Sequence, residues 1–321
     1  MKARGVVFTA PERVDVWDIE LPEPGPEDVA IRVLYSGISI GTEGWVLRNR
    51  YRGVTYPLVT GYQYAGVAEQ VGAAVANVKE GDQVFARFTR LAGDRVRPMW
   101  AGHVSHGVVA ASQVHKVPAG LGADEAALAV MPAVPWHGIQ LTGINPGDLV
   151  VVVGLGQVGQ YAAQLARTKG AKVIAVEVLE HRRELAAKYS ADIVLDPAHD
   201  DVSTVVKDNK AEGADVIIDT SANAKAINAS FEWARRNARY CLQGYYPDLT
   251  PLDLFTPHVK QLTFYHPTDC EGIDTMLTYM TEGKVNVKGL ITHRFPANDA
   301  AQAYDIAIHA PEEAVAMVLQ W

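Results

Sequence analysis

The first third of the chain carries short apolar runs separated by Pro, Gly and Asp, a pattern that predicts β-strands. Residues 28–35 and 83–88 are two examples of such runs. From residue 1 to about 120 we therefore predict a β-rich domain.

After about residue 121, apolar strands alternate with helical stretches, beginning with a predicted helix over 123–128. The predicted strand and helix pairs are 149–153 with 157–169, 173–176 with 181–189, and 216–218 with 224–236. Repetition of strand and helix is typical of an α/β fold, a parallel sheet with helices on both faces. In the tail, a strand over 290–296 and a helix over 300–308 are expected to return to the first domain.

Composition excludes several classes of protein. The chain has 321 residues, enough for about two domains. Its two cysteines, Cys241 and Cys270, allow at most one disulfide, which excludes a disulfide scaffold and a four-cysteine zinc lobe. The formal net charge of -8 has the wrong sign for a protein that binds a phosphate backbone, so we expect no nucleic acid partner.

Neither a targeting signal nor a membrane span is expected. Residues 1–11 hold too few apolar residues for a signal-peptide core, and we interpret them as a first strand. The most apolar later run, 149–155, is far shorter than the roughly 20 residues of a membrane helix. We therefore expect a soluble, cytoplasmic protein with no membrane partner.

A glycine motif directly follows an all-apolar predicted strand. Gly154, Gly156 and Gly159 have the Gly-x-Gly-x-x-Gly spacing, with Gln157 and Val158 inside the motif and a predicted helix after it. The first glycine allows a tight turn, the second lets backbone approach a pyrophosphate, and the third lets helix and strand pack closely. Free N–H groups at the helix start attract the anion, so this context predicts a dinucleotide site.

An acidic residue, Glu177, occupies the position at which a dinucleotide site distinguishes NAD from NADP. Glu177 ends the second predicted strand about 20 residues after the glycines, where it would accept hydrogen bonds from the adenosine ribose. It would also repel a 2′-phosphate, which favours NAD over NADP. Arg182 either is a solvated helix residue or reaches the ribose 3′-hydroxyl. Ser221 and Gly244, after later strands, complete the predicted cofactor residues.

Several motifs together resemble the medium-chain dehydrogenase/reductase superfamily. They are residues 37–43, 81–84, 116–118, 146–148, the glycine motif, 213–219 and 290–295. The resemblance implies a GroES-like catalytic domain, 1–120 completed by 286–321, and a Rossmann NAD-binding domain with a doubly wound parallel sheet over 121–285. It also implies a homodimer or homotetramer.

Within the superfamily, three stretches look like the bacteriochlorophyllide hydroxyethyl dehydrogenases and the glucoside 3-dehydrogenases. They are residues 41–43, 244–246 and 291–294. Both groups oxidise secondary alcohols on large ring-bearing substrates, so the resemblance implies this chemistry.

The chain departs from the family pattern at the zinc site. Zinc-dependent members use a Cys, the His of Gly-His-Glu, and a third Cys, Asp or Glu. The corresponding positions hold Ile40, Tyr62 and Met131, with Gln63 in place of the Glu. An aliphatic chain, a phenol and a thioether cannot form the usual ligand set, so we predict no metal.

A rebuilt metal site is the alternative. One histidine of the pair His103 and His106 could join Glu43 and His137 as ligands. The two histidines are not expected to be joint ligands: residues 102–110 are predicted as a strand, where a spacing of three sends side chains to opposite faces.

Without zinc, a positioned side chain must handle the hydroxyl proton, while hydride transfer is the cofactor's own chemistry. Tyr62 matches the position of the family's ligand histidine, and Thr42 matches the hydroxyl that relays the proton in related enzymes. Further polar candidates are Glu43, Gln63 and one of His103 or His106. Alternatively, Tyr62 and Gln63 merely fill the space that the metal leaves.

The predicted function is a zinc-independent, NAD-dependent oxidoreductase that interconverts a secondary alcohol and a ketone on a cyclic substrate, sugar-like or bulky. Aromatic residues near the same elements suit such a ring. They are Trp45, Tyr51, Tyr56, Trp100, Trp136, Tyr245 and Tyr246. Two alternatives stay open, a zinc-lacking quinone or enone reductase and a dinucleotide-binding sensor without turnover.

Overall fold

The computed structural model describes residues 1–321. The strands are β1 (Lys2–Ala10), β2 (Arg13–Glu20), β3 (Asp28–Ile38), β4 (Leu58–Val59), β5 (Tyr64–Val71), β6 (Gln83–Ala86), β7 (Arg97–Pro98), β8 (His106–Ala110), β9 (His115–Lys116), β10 (Leu149–Val153), β11 (Lys172–Val176), β12 (Ile193–Leu195), β13 (Ala214–Asp219), β14 (Ala234–Leu242), β15 (Thr263–Tyr265), β16 (Ile291–Pro296) and β17 (Ala316–Gln320).

The α-helices are α1 (Ile40–Leu47), α2 (Ala123–Ala126), α3 (Val130–Thr142), α4 (Gln157–Thr168), α5 (Glu180–Tyr189), α6 (Val202–Asn209), α7 (Ala224–Ser230), α8 (Phe255–Lys260), α9 (Ile273–Thr281) and α10 (Ala300–His309). Short 3₁₀ helices cover Ala111–Gln113, Phe231–Trp233, Lys288–Leu290, Ala297–Asp299 and Pro311–Glu313.

The chain divides into two compact units. The β-rich unit comprises Met1–Ala129, Ile273–Thr281 and Ile291–Trp321, and the nucleotide unit comprises Val130–Gly272 and Glu282–Leu290. The β-rich unit includes α2, which packs against β3 and β5.

The β-rich unit is built on two sheets, with strand orders β2-β1-β4-β7 and β16-β17-β3-β5-β6-β9, and β8 pairs with β3 outside the second order. The long strand β3 is the centre of the second sheet. It pairs antiparallel with β5, β8 and the C-terminal strand β17, where Leu319 lies opposite Ser36. One of the unit's apolar cores includes Phe8, Ile38 and Leu319, so both ends of the chain contribute to it.

The nucleotide unit has a six-stranded parallel sheet with the order β12-β11-β10-β13-β14-β15. Its central strand β10 is buried at every residue, which is typical of a parallel sheet covered on both faces. The order is that of a Rossmann sheet, and it reverses between β10 and β13, where ligands bind at the carboxyl ends of the strands. The predicted α/β fold class, a β-rich part with a doubly wound parallel sheet, is confirmed.

Two predicted elements differ from the structure. The helix predicted over 224–236 ends at Ser230, and after a 3₁₀ turn the chain becomes strand β14, which pairs with β13. Sheet pairing overrides local helix propensity there. The strand predicted over 102–110 is also wrong in its first part, because β8 begins only at His106. No helix has both the length and the apolar character needed to cross a membrane.

Candidate functional site

The candidate cofactor site begins at the carboxyl end of β10. Gly154 has a φ of +85°, which a side chain would strain, and a Cβ on it would lie 3.0 Å from atoms of Ser221. A Cβ on Gly159 would lie 2.0 Å from the Gly154 carbonyl oxygen. The packing of α4 on the turn therefore depends on the absence of both side chains.

The start of α4 leaves room for a ligand. A Cβ on Gly156, which precedes the helix, would have only Arg182 Nη1 within 4 Å, at 3.9 Å. Gln157 is 7% exposed, and both atoms of its amide lack a hydrogen-bond partner. A buried amide without partners is unfavourable, and the helix start offers free N–H groups, with Val158 in the same first turn. A pyrophosphate fits these features.

Glu177, directly after β11, bonds to the glycine turn itself. The carboxylate is 6% exposed and accepts hydrogen bonds from the backbone N–H groups of Leu155 at 2.6 Å, Val178 at 2.8 Å and Leu179 at 3.1 Å. An ionised carboxylate has about four lone-pair sites, so Glu177 can accept one further donor, such as a ribose hydroxyl.

The neighbouring arginines have different surroundings. Arg183 donates to the carbonyl oxygens of Glu177 at 3.0 Å and Val178 at 2.7 Å, and it forms an ion pair with Asp196 at 3.0 Å. Arg182 instead places Nη1 beside Gly156. Arg182 is therefore the arginine that can meet a ligand at the turn.

The loops after β13 and β14 meet at Asp219, a residue that the sequence analysis missed. Its buried carboxylate accepts hydrogen bonds from Ser221 Oγ at 2.6 Å, Tyr246 Oη at 2.6 Å and the Ala222 N–H at 3.2 Å. Burial raises the pKa of Asp219, although these bonds oppose the shift. Gly244 N donates to the Asp219 carbonyl oxygen at 3.1 Å. Ser221 and Gly244, both predicted as cofactor residues, thus both bond to Asp219, Ser221 through the carboxylate and Gly244 through the backbone carbonyl.

In the β-rich unit, a polar cluster surrounds Glu43 in the first turn of α1. Its fully buried carboxylate accepts the Ser39 N–H at 2.9 Å, His103 Nε2–H at 2.8 Å and the hydroxyl of Tyr304 from α10. A buried carboxylate persists only where such donors compensate its lost hydration, and the helix start adds a favourable dipole.

A hydrogen-bond chain continues behind His103. Trp321 Nε1 donates to Ser36 Oγ at 2.9 Å, and Ser36 Oγ lies 2.8 Å from His103 Nδ1. Because the indole N–H can only donate, Ser36 Oγ accepts it, and the same oxygen either donates its own proton to His103 Nδ1 or accepts Nδ1–H. Nε2–H donates to the Glu43 carboxylate at 2.8 Å, so the chain of hydrogen bonds links Trp321 through Ser36 and His103 to Glu43.

Tyr62 lies beside this cluster, just before β5. Its phenol hydrogen-bonds with the side chains of Ser39 and Thr42, and its ring meets Trp100 edge-on at 5.3 Å between centroids. Burial raises the pKa of Tyr62 well above its ordinary value; the hydrogen bonds oppose this and the Glu43 carboxylate adds to it. The phenol therefore stays protonated and can act as a hydrogen-bond donor.

The other two candidate catalytic residues have different surroundings. Gln63 is fully buried, and its Nε2 donates to the Gly37 carbonyl oxygen of β3 at 3.4 Å. His106 is partly exposed, with Nδ1 3.1 Å from Ser105 Oγ and Nε2 3.6 Å from a Glu69 carboxylate oxygen. Of the two alternative histidines, His103 is the one that contacts Glu43.

Three members of the Glu43 cluster escaped the sequence analysis. Tyr304 lies 261 positions from Glu43, Ser36 lies 67 positions from His103, and Trp321 lies 285 positions from Ser36. The only signal for them was the expected return of the tail to the first domain, which does not name a residue.

The positions that correspond to zinc ligands do not fit that metal. Ile40 begins α1, Tyr62 carries a protonated phenol, and Met131 lies in α3. No three His, Cys, Asp or Glu side chains come together in a group that could hold a metal ion. His137, the other alternative ligand, lies 3.4 Å from Glu271.

Two family descriptions match the chain. Residues 25–120 match the alcohol dehydrogenase GroES-like domain, and residues 158–278 match the zinc-binding dehydrogenase domain. The chain belongs to the zinc-type medium-chain dehydrogenase/reductase superfamily. The family resemblance found in the sequence is thereby confirmed.

Curated relatives match over nearly their whole length. A 2-desacetyl-2-hydroxyethyl bacteriochlorophyllide A dehydrogenase from Rhodobacter capsulatus is 29% identical, with 100% of this chain and 99% of the relative covered. A D-arabitol-phosphate dehydrogenase from Enterococcus avium is 26% identical, with 96% and 95% covered.

A solved structure shares the fold. A dehydrogenase from Sinorhizobium meliloti 1021, determined with NADP bound, superposes with a TM-score of 0.87 at 21% identity, and both chains are covered completely. At this identity the likeness shows the fold alone.

Proposed function

We propose that this medium-chain dehydrogenase interconverts a secondary alcohol and a ketone, uses NAD, and needs no catalytic zinc. The observation that carries the proposal is an intact glycine turn in a chain whose zinc-ligand positions hold Ile40, Tyr62 and Met131. The proposed substrate is cyclic, sugar-like or bulky. The bacteriochlorophyllide and arabitol-phosphate dehydrogenases among the relatives support a large or polyol-like alcohol.

The proposed cofactor contacts divide into three groups. The glycine motif would hold the pyrophosphate, Glu177 and Arg182 would contact the adenosine ribose, and Ser221 and Gly244 would contact the nicotinamide half. NAD, when bound, supplies the hydride acceptor. The fold accommodates NADP in the S. meliloti dehydrogenase, so the preference for NAD rests on Glu177.

Binding titrations by calorimetry test the cofactor proposal. NAD is expected to bind at least about tenfold more tightly than NADP, because Glu177 repels a 2′-phosphate. Gly156→Ala is expected to fold normally, since only Arg182 Nη1 lies near the new methyl group, yet to lose NAD affinity at least about tenfold. Gly41→Ala, in open space, is the control. Tighter binding of NADP would contradict the proposal.

In the proposed mechanism, the hydroxyls of Tyr62 and Thr42 hold the substrate oxygen. The protonated phenol of Tyr62 donates a hydrogen bond to the carbonyl oxygen of the ketone. In the oxidation direction, Thr42, which is partly exposed, relays the proton: its oxygen accepts the alcohol proton as its own hydroxyl proton is released towards solvent.

Glu43 and His103 act behind these hydroxyls as positioning residues. Glu43 accepts the N–H of Ser39, whose side chain bonds to Tyr62, and His103 holds the other carboxylate oxygen. Fixed in this way, the phenol keeps one orientation towards the substrate, as a preorganised donor should.

Tyr62→Phe tests the mechanism. Turnover should fall about 10²-fold, because the donor to the substrate oxygen is lost, while NAD affinity should stay within about twofold. Substrates are to be found by screening sugars, glycosides and tetrapyrroles for NAD reduction. Unchanged turnover in the variant would remove Tyr62 from the mechanism.

Metal analysis tests the zinc-independent part. Protein purified without chelators is expected to contain far less than one zinc per chain and to keep its activity after dialysis against a chelator. Stoichiometric zinc whose removal abolishes turnover would refute this part of the proposal. A homodimer or homotetramer is proposed on resemblance alone, and light scattering of the purified protein measures the assembly. A cytoplasmic location stays a prediction from the sequence.

A further inference from the structure

The Rossmann sheet divides the candidate cofactor site into two halves at its switch point between β10 and β13. Glu177 follows β11 on one side, the side of the adenosine ribose. The other half of a dinucleotide must then lie over the ends of β13 and β14. Asp219 is the last residue of β13, and Tyr246 follows β14 closely.

A hydroxyl–carboxylate bond joins the loops that follow these two strands. Tyr246 Oη donates to Asp219 Oδ2 at 2.6 Å and accepts the Gly244 N–H at 3.3 Å. Asp219 Oδ2 also accepts the Ala222 N–H at 3.2 Å. A Cβ on Gly244 would lie 3.0 Å from Tyr246 Oη and 3.2 Å from Ala222 Cβ, so the two loops meet closely at this glycine.

The arrangement also holds a strained backbone. Ala222 has a φ of +51°, a left-handed conformation that a residue with a side chain adopts at an energetic cost. Such residues persist only where the surrounding structure holds them, and they cluster at functional sites. Here the surrounding bonds come from Asp219, which also accepts from Ser221 Oγ at 2.6 Å.

The two buried aspartates of β13 have different hydrogen-bond partners. Asp215, on the same strand, is paired with Lys210 at 2.6 Å and Arg235 at 2.7 Å, so cations balance its charge. Asp219 has neutral hydroxyl and backbone donors instead. Its bonds connect two loops at the ligand-binding edge of the sheet.

We propose that Asp219 and Tyr246 form a positioning pair for the nicotinamide half of the cofactor, an inference that rests on the proposed use of NAD. The pair keeps Gly244 and Ser221 in place before the cofactor binds. Because the loops are already ordered, they lose less conformational entropy when the cofactor binds.

The test compares NAD with ADP-ribose, which contains the adenosine and pyrophosphate parts but no nicotinamide. Calorimetry is carried out on the wild type, on Tyr246→Phe and on Asp219→Asn. In Tyr246→Phe, NAD affinity is expected to fall about tenfold while ADP-ribose affinity changes by less than about twofold. The emission spectrum of bound NADH should also shift, since it reports the surroundings of the nicotinamide. Tyr265→Phe, half-buried in β15, is the matched control.

Each outcome is decisive. A selective loss of NAD affinity in Tyr246→Phe supports the pair, and a similar loss in a folded Asp219→Asn strengthens it. Equal losses for NAD and ADP-ribose, or no loss, overturn the inference and leave the proposed function in place. A wild type that binds neither ligand overturns the proposed function, and the inference with it.

Discussion

Two buried carboxylates, Glu177 in the nucleotide unit and Glu43 in the β-rich unit, are held in different ways. Glu177 takes three backbone N–H donors, two of them from the residues that directly follow it. Glu43 takes one backbone donor and two side-chain donors, His103 and Tyr304, that lie 60 and 261 positions away.

The difference separates two kinds of site. Backbone donors are present whatever the neighbouring residues are, so a strand, a glycine turn and a carboxylate at the right spacing suffice to build the first kind. Side-chain donors must be brought by the tertiary fold, and each is an exchangeable residue. Substitution of Glu177 should therefore mainly change cofactor preference, and substitution of Glu43 should mainly change folding stability.

The largest effect is expected at the glycine turn. Gly159→Ala should lower the free energy of unfolding by about 3 kcal/mol or more, because the new methyl would lie 2.0 Å from the Gly154 carbonyl oxygen. Urea unfolding measures the change. Gly156→Ala, in the same turn, is the control and should cost less than about 1 kcal/mol. Equal stabilities of the two variants would show that the turn does not depend on close backbone packing.

A middle-sized effect is expected when the two carboxylates become amides. Glu43→Gln should cost about 1–3 kcal/mol of unfolding free energy, because the amide NH₂ faces a donor that it cannot satisfy. Its NAD affinity should stay within about twofold of the wild type. Glu177→Gln should instead lower the preference for NAD over NADP about tenfold, measured by calorimetry. A Glu43 variant that mainly weakens NAD binding would break the comparison.

The smallest effect concerns pH and the two carboxylates of β13. Burial alone would raise the pKa of Asp215, but hydrogen bonds from Lys210, Arg235 and the Leu149 N–H together lower it below its ordinary value of 3.8. The ionised Asp215 carboxylate therefore stabilises the folded state above pH 3.8, and this stabilisation is lost as the pH falls through the folded-state pKa. Asp215→Asn should therefore cost on the order of 1 kcal/mol at neutral pH and less in acid.

For Asp219→Asn, the loss of stability relative to the wild type is expected to change with pH in the opposite direction. Because burial raises the pKa of Asp219, its contribution is greatest in acid and is lost as the pH rises through the folded-state pKa. The stability of the wild type relative to this variant should therefore fall with rising pH. The same direction of change in both variants, measured by urea unfolding across the pH range, would contradict these assignments.

Much of the nucleotide unit was predictable because its signals are local. The apolar run of β10, the three glycines and Glu177 are read from consecutive or evenly spaced residues, and β10 has the predicted bounds 149–153. Prediction failed where partners at a distance decide the structure. Residues 234–236, predicted as helix, begin β14, and Ala234 pairs with Ala214 of β13.

The candidate catalytic cluster was only partly predictable. Tyr62, Thr42 and Glu43 were found by their positions in the family pattern, since local spacing carries no sign of them. The choice between His103 and His106 needed the structure. The two rings differ in burial, and only the fold brings one of them to Glu43.

By itself, the sequence determined the α/β class, the glycine turn and the absence of zinc-ligand side chains at the family's positions, because each is a property of local residue type and spacing. Only the tertiary structure decided that His103 and Tyr304 bond to Glu43, that Ser36 and Trp321 extend this network behind His103, and that Tyr246 bonds to Asp219. Hydrogen bonds between distant segments depend on how sheets and helices bring those segments together, and no local pattern records that arrangement.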